Sequence, residues 1–269
     1  MGTLRLDELT TVVRAPNPSP MTLEGTNTYL LGAPGCGELL VVDPGPDLLE
    51  HRRAVEGAAA DRDAAIVAAV VTHHHADHAE AAAWTEDWGV PLLAFTPALV
   101  PAAEVAPLRD GDVVRRAGIA VEAVHTPGHS SDHVCLRVAG TGAVLTGDHV
   151  LGRGTSMVAH PDGDMADYCA SLRRLAGLGA PILYPGHGPV VDDPSSVVTA
   201  YLEHREERER QILAGLAAGD RTPAGLVARV YADVDPALHP AAERSVRAHL
   251  DKLAAEGLVE IRAGEVLPR

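Results

Sequence analysis

The chain has 269 residues, 46% of them hydrophobic but only 3% aromatic, and a formal net charge of -15 at pH 7. Such a length supports a substantial core of mostly small aliphatic side chains. The negative charge opposes broad attraction to phosphate backbones or anionic membranes, and no run approaches the roughly 18 to 20 apolar residues of a membrane span.

In chain order, the opening MGTLRLDELTTVVRAPNPSP lacks the basic and apolar parts of an export signal. The strands TYLLG (28–32) and ELLVVDPG (38–45) come next, the second closed by Pro-Gly. A helix-compatible segment, LLEHRRAVEGAAA, leads into AAIVAAVVT, an apolar run short enough for a buried strand. Residues 77–88 suit a helix and PLLAF (91–95) a strand. IAVEAVH (119–125), HVCLRV (133–138) and AVLTG (143–147) read as strands, followed by a helix near 164–178 and the strand PILY (181–184). This mixture of hairpins and β-α alternation points to sheets flanked by helices, an α+β chain.

Composition changes near residue 200. YLEHREERERQILAGLAAG reads as a charged helix, LVARVYADV as a second, and PAAERSVRAHLDKLAAEG as a third ending at a glycine cap. LVEIRAGEVLPR then suits two short strands about Ala263 and Gly264. Three helices and a hairpin are the order of a winged helix, so the expected domains are 1–200 and 201–269. From residue 201 on there are ten Lys and Arg against twelve Asp and Glu, net -2, without the basic stripe that would track phosphates. Cys36, Cys135 and Cys169 show neither disulfide nor thiolate-zinc spacing, and a cytoplasmic chain is expected.

Chemistry concentrates at VTHHHADH, residues 71–78. In an extended segment His73 and His75 point the same way and His74 points elsewhere. Asp77 and His78 fall where the chain turns into a helix, which lets both aim at a second position beside the first. Three more strands end in a glycine followed by a metal-type ligand: His129 after IAVEAVHTPG, Asp148 after AVLTG, and His187 after ILYPG. Histidine and carboxylate are the usual donors of hydrolytic metal sites, and strand ends are where α/β folds collect ligands.

H-x-H-x-D-H followed by a distant His, Asp and His resembles the metallo-β-lactamase superfamily of hydrolases over the first 190 residues. NPSPMTLEGTNTYLLG and the C-terminal winged-helix pattern resemble its β-lactamase-like protein 2 branch, which extends the resemblance to the whole chain. The resemblance implies an αββα sandwich with the site at one edge. It also implies one ion on His73, His75 and His129, a second on Asp77, His78 and His187, and Asp148 bridging. Ala79, Glu80, Ala81 and Ala82 stand where the family commonly has glycines, which bears on packing beside the substrate rather than on the ligands.

Two zinc ions are the expected cofactors, with Mn²⁺ or Fe²⁺ compatible with the same nitrogen and oxygen donors. Di-iron relatives commonly carry glutamate at the position of His75, and β-lactamases proper often carry cysteine at that of Asp148, so neither group matches. Zinc lowers the pKa of bound water toward about 7, and a bridging hydroxide held by two ions is the expected nucleophile. Asp77 is expected to act as a catalytic residue by orienting the nucleophile or taking its proton. The expected reaction is hydrolysis of a thioester or related acyl ester, on a small-molecule or carrier-bound acyl substrate. The alternatives are cleavage of single-stranded RNA by the same ions and a non-catalytic regulatory protein that uses the winged helix. Asp43, in VVDPG, opens a turn or hydrogen-bonds the ligand loop, and both readings stay open. His125, His133, His149, His74 and His160 are expected mainly in core or surface roles.

Overall fold

The structure, a computed structural model, describes residues 2–262 and 264–269. The chain divides into two compact units. The first comprises Met1–Thr126, Asp132–Gly154 and Gly179–Pro194, the second Pro127–Ser131, Thr155–Leu178 and Ser195–Arg269.

In the first unit, β1 (Thr3–Arg5), β2 (Thr10–Arg14), β3 (Asn27–Leu31) and β4 (Glu38–Val42) pair antiparallel in sequence order. Helix α1 (Leu49–Ala60) then carries the chain to β5 (Ala65–Val70), which joins β4 in parallel, and β6 (Leu92–Ala94) and β7 (Val105–Pro107) extend the sheet in parallel. A second sheet holds β8 (Val113–Arg116), β9 (Ile119–His125), β10 (Val134–Val138), β11 (Val144–Gly147) and β12 (Leu183–Pro185), with β12 parallel to β11 and the other neighbours antiparallel.

The two-residue period of a strand sorts the side chains. Leu31, Leu40, Val42, Ala68 and Val70 face a core shared with Val121, Ala123, Val134, Leu136 and Leu145 of the second sheet. Their sequence neighbours Leu30, Leu39, Val41 and Ala69 turn outward onto Val55, Ala58 and Ala59 of α1. The first sheet is thus covered on both faces, which is why ELLVV and AIVAAV are apolar runs rather than alternating ones.

Four strands lie outside those expected from sequence: β1, β2, β7 and β8. Three of them are only three or four residues long and expose most of those, too short a run to show a two-residue alternation. β2 is buried but has only two apolar residues, Val12 and Val13. The helix expected over 77–88 is broken into α2 (Ala76–Ala79), a 3-10 turn (Glu80–Ala83) and α3 (Trp84–Trp88). Gly45 is responsible: its N–H bonds the His78 carbonyl at 3.0 Å and its carbonyl takes the Ala81 N–H at 3.0 Å, diverting two backbone groups from helical partners.

The second unit contains α4 (Met165–Gly177), α5 (Pro194–Ala217, from Ser195 on), α6 (Pro223–Val230), α7 (His239–Ala255) and the hairpin β13 (Val259–Arg262) with β14 (Glu265–Pro268). Helix α5 begins earlier than its charged stretch because Pro194 fits the first helical turn, where no N–H is needed, and it runs unbroken through residue 200. Ile212 and Leu216 of α5, Leu226 of α6, Val246, Leu250 and Leu253 of α7, and Val259 and Val266 of the hairpin share a core. Of the turn expected about Ala263 and Gly264, Ala263 lies outside the described residues. Among the described residues no helix is long and apolar enough to cross a membrane.

Candidate metal centre

Each ligand-type residue follows a strand. The chain leaves β5 through Val71 and Thr72, presents His73, His74 and His75 without regular structure, and enters α2 with Asp77 and His78. Asp148 follows β11 and His187 follows β12. His129, beyond β9, belongs to the second unit.

Within the first unit four donors converge. His78 Nε2 lies 3.2 Å from Asp148 Oδ1, 3.6 Å from Asp77 Oδ2 and 3.3 Å from His187 Nε2. His187 Nε2 lies 3.0 Å from Asp77 Oδ2 and 3.3 Å from Asp148 Oδ1. Nitrogen and oxygen donors placed tetrahedrally about 2.0 to 2.1 Å from one divalent ion stand about 3.3 Å from each other. The donor set therefore fits a four-coordinate cation. His73 Nε2 and His75 Nδ1 face each other at 3.1 Å, a second pair at ligand spacing.

Charge supports the same conclusion. Burial pushes the Asp148 carboxyl up, yet His187 and His78 beside it hold it well below the usual carboxylate range. Burial likewise pulls His78 down, but Asp148, Asp77 and Asp43 raise it well above an ordinary imidazole. His187 is pushed up to about 9, with Asp148 and Asp77 outweighing its burial. Asp77 is lowered, the pull of His78 and His187 outweighing burial. Protons on the two imidazoles thus balance the carboxylates, a task a divalent cation takes over when it binds.

The surrounding residues fix how the ligands point. Asp43, only 2% exposed, accepts from Thr72 N at 2.7 Å, Thr72 Oγ1 at 2.8 Å and His78 Nδ1 at 2.8 Å. Thr72 Oγ1, its proton given to Asp43, accepts from His73 Nδ1 at 3.0 Å. Both imidazoles therefore carry their proton on Nδ1 and offer Nε2 as the ligand atom. His133 accepts the Asp148 N–H at 3.2 Å through Nε2 and meets Thr126 Oγ1 at 3.0 Å through Nδ1, which sets the turn that presents Asp148. Asn27 Nδ2 donates to the carbonyls of Pro185 (2.9 Å) and Gly188 (3.0 Å), bracketing His187. Two glycines allow the close approach: a Cβ on Gly186 would stand 2.6 Å from the His78 ring, and one on Gly147 2.7 Å from His133 Nε2.

The structure thus brings His73, His75, Asp77, His78, Asp148 and His187 into one region of the first unit. In the second unit His129 Nδ1 donates to the Met157 carbonyl at 2.7 Å, with Ser156 Oγ 3.0 Å away. His74 turns aside to Asp132 at 2.9 Å, His125 stacks on Phe95 with centroids 3.9 Å apart, and His160 pairs with Asp251 at 3.3 Å. Asn27, Thr72, Thr126 and Ser156 were not foreseen from sequence. Asn27 and Thr72 sit inside the GTNTYLLG and VTHHHADH motifs, which is their signal; Thr126 and Ser156 carry none.

Comparison with known proteins agrees with the geometry. Residues 21–187 match the family described as the metallo-beta-lactamase superfamily, and residues 222–264 match the beta-lactamase associated winged helix domain. A beta-lactamase-like protein 2 homolog of Caenorhabditis elegans is 34% identical over 263 residues, covering 95% of this chain and 88% of that protein. An atrochrysone carboxyl ACP thioesterase of a Cryptosporiopsis species is 33% identical over 278 residues, covering 92% of this chain and 81% of that protein. Among solved structures, a metallo-beta-lactamase family protein from Thermus thermophilus superposes with a TM-score of 0.84 at 24% identity, over 98% of this chain and 100% of that one.

Proposed function

We propose that this chain, which belongs to the metallo-β-lactamase superfamily, is a dinuclear zinc hydrolase of acyl thioesters, with a small-molecule or carrier-bound acyl group as substrate. The observation that carries this reading is the four-donor set of Asp77, His78, Asp148 and His187, with edges of 3.0 to 3.6 Å. We assign the first ion to His73, His75 and His129, the second to Asp77, His78 and His187, and the bridge to Asp148. The same two-ion set would also accept Mn²⁺ or Fe²⁺. Catalysis falls to residues 1–200, and 201–269 form the winged-helix domain.

When bound, the ions supply Lewis acidity and a water of lowered pKa. The reaction is attack of water oxygen on the thioester carbonyl carbon, followed by loss of the thiolate. Asp77 is the most exposed of the four donors, with 29% of its side chain accessible, and its carboxyl stays ionised at neutral pH. It orients the attacking water and accepts its proton. Asp43 keeps the proton of His78 on Nδ1 throughout.

Two observations favour the thioester. A relative covering most of this chain is named as an acyl-carrier-protein thioesterase. The net charge of -15 repels polyanions, and the winged-helix residues carry no net positive charge of their own.

The test is turnover of a panel of acyl-coenzyme A and acyl-carrier thioesters, lactones, phosphodiesters and single-stranded RNA, alongside zinc content. Thioester hydrolysis that a chelator abolishes and Zn²⁺ restores is the expected result. Cleavage of RNA instead would make the chain a nuclease, and metal-independent or absent turnover would reject the hydrolytic assignment.

A further inference from the structure

Arg205 lies on α5 with 3% of its surface exposed, and no step of the proposed hydrolysis uses it. A buried guanidinium is a costly choice on a helix face that otherwise buries Val198 and Tyr201, unless its donors serve a specific acceptor. One acceptor is the Ser156 carbonyl, and the guanidinium also hydrogen-bonds Tyr168 and lies over its ring, 5.1 Å from the centroid.

Ser156 and Met157 both hold the His129 imidazole, through Ser156 Oγ and the Met157 carbonyl. They sit in 155–159, a stretch without helix or strand to fix it. By contrast, α4 and its N-cap clamp the backbone on the other side of His129. Asp164 N donates to the Gly128 carbonyl at 3.0 Å, Ser171 Oγ donates to the Pro127 carbonyl at 2.8 Å, and a Cβ on Gly128 would lie 2.3 Å from the Tyr168 backbone. The loop backbone is thus set by α4, while the ring orientation depends on a segment that Arg205 ties to α5.

We infer that Arg205 is a positioning residue for His129. By holding the Ser156 carbonyl it fixes the next peptide, whose Met157 carbonyl keeps the imidazole proton on Nδ1 and leaves Nε2 as the metal-binding atom. The inference rests on the proposed function, which gives His129 to the first ion. It also places part of the metal centre's support beyond residue 200. The same helix carries Arg208, which donates to the Val230 carbonyl at 3.1 Å, and Ile212 and Leu216 of the winged-helix core.

The experiment compares full-length wild type with Arg205→Met, Arg205→Lys and Leu250→Ala, measuring Co²⁺ stoichiometry, affinity and visible absorption. Leu250→Ala weakens the second unit's core without touching the His129 segment, so it reports a merely structural loss. Wild type is expected to bind two ions per chain. Arg205→Met is expected to hold one as before and the other about 10- to 100-fold more weakly, with altered Co²⁺ bands. Arg205→Lys should fall between them, and Leu250→Ala should melt earlier yet bind both ions with the wild-type spectrum. Wild-type affinity and spectrum in Arg205→Met would overturn the inference. If that variant does not fold, Arg205→Lys decides: intermediate affinity for one ion supports it, and wild-type binding of both rejects it. A wild type that binds no divalent ion would instead sink the proposed function, and the inference with it.

Discussion

Asp43 has a φ of 53°, a left-handed conformation that aspartate and asparagine tolerate better than other side chains. That tolerance makes Asp43→Asn a clean change of chemistry on an unchanged backbone. In the native protein both carboxylate oxygens accept: Oδ1 from Thr72 N, and Oδ2 from Thr72 Oγ1 and His78 Nδ1. Asparagine keeps one acceptor and replaces the other with an NH₂ donor, which then faces two donors. The relief is to move the His78 proton to Nε2, the atom aimed at Asp148 and His187. Asp43→Asn should therefore lower affinity for the second ion about 10- to 100-fold, the usual effect of losing a residue that orients a ligand. The measurement is zinc competition against a chromophoric chelator, and native affinity at both sites would show that Asp43 only shapes the turn. Sequence alone leaves those two roles level, because Asp43 and His78 are 35 positions apart and only the fold makes them neighbours.

Helix α1 ties that same turn to the sheet. His51, fully buried on α1, meets Thr28 Oγ1 at 2.8 Å, and Thr28 Oγ1 donates to the Asp43 carbonyl at 2.6 Å. Burial pulls the His51 imidazole down to about 4, outweighing the nearby Pro44 carbonyl. The unfolded chain protonates His51 near 6.5, so between 6.5 and about 4 it takes up a proton that the folded chain refuses. Stability is complete above about 6.5 and is lost as pH falls through that window, by about 3 kcal/mol in all. Urea midpoints measured from pH 7 to 4 should fall less steeply for His51→Gln than for wild type, and parallel curves would refute this. Most elements are legible in the sequence because each has its own pattern, as ELLVV and AIVAAV do for two-faced burial. The break between α2 and α3 is not, because its cause, Gly45, belongs to another element. For the same reason the donor cluster that begins in VTHHHADH is readable from spacing, whereas the bond of Arg205 to the Ser156 carbonyl, 49 positions away, is not.

For the molecule as a whole, the candidate donors come from both large sheets, so an ion held by them would tie the sheets together. His73, His75, Asp77 and His78 follow β5 of the first sheet, while Asp148 and His187 follow β11 and β12 of the second. His78 and His187 are 109 positions apart in sequence, so the unfolded chain scatters donors that the folded chain holds within 3.3 Å. An ion that binds only the folded arrangement stabilises it by mass action, and each tenfold rise in free ion above the dissociation constant adds about 1.4 kcal/mol. For a chain of this size that is about 3 to 6 °C of melting temperature per decade. Dialysis against a chelator should lower the melting temperature, and titration with buffered free Zn²⁺ should raise it with that slope until loading is complete. His187→Ala, which removes a donor to the second ion, should flatten the part of the slope belonging to that ion. A wild-type melting temperature indifferent to free metal would mean that the donors converge without holding a cation, and the acid-base pairs among His78, His187, Asp77 and Asp148 would then have to be explained as structural ion pairs alone.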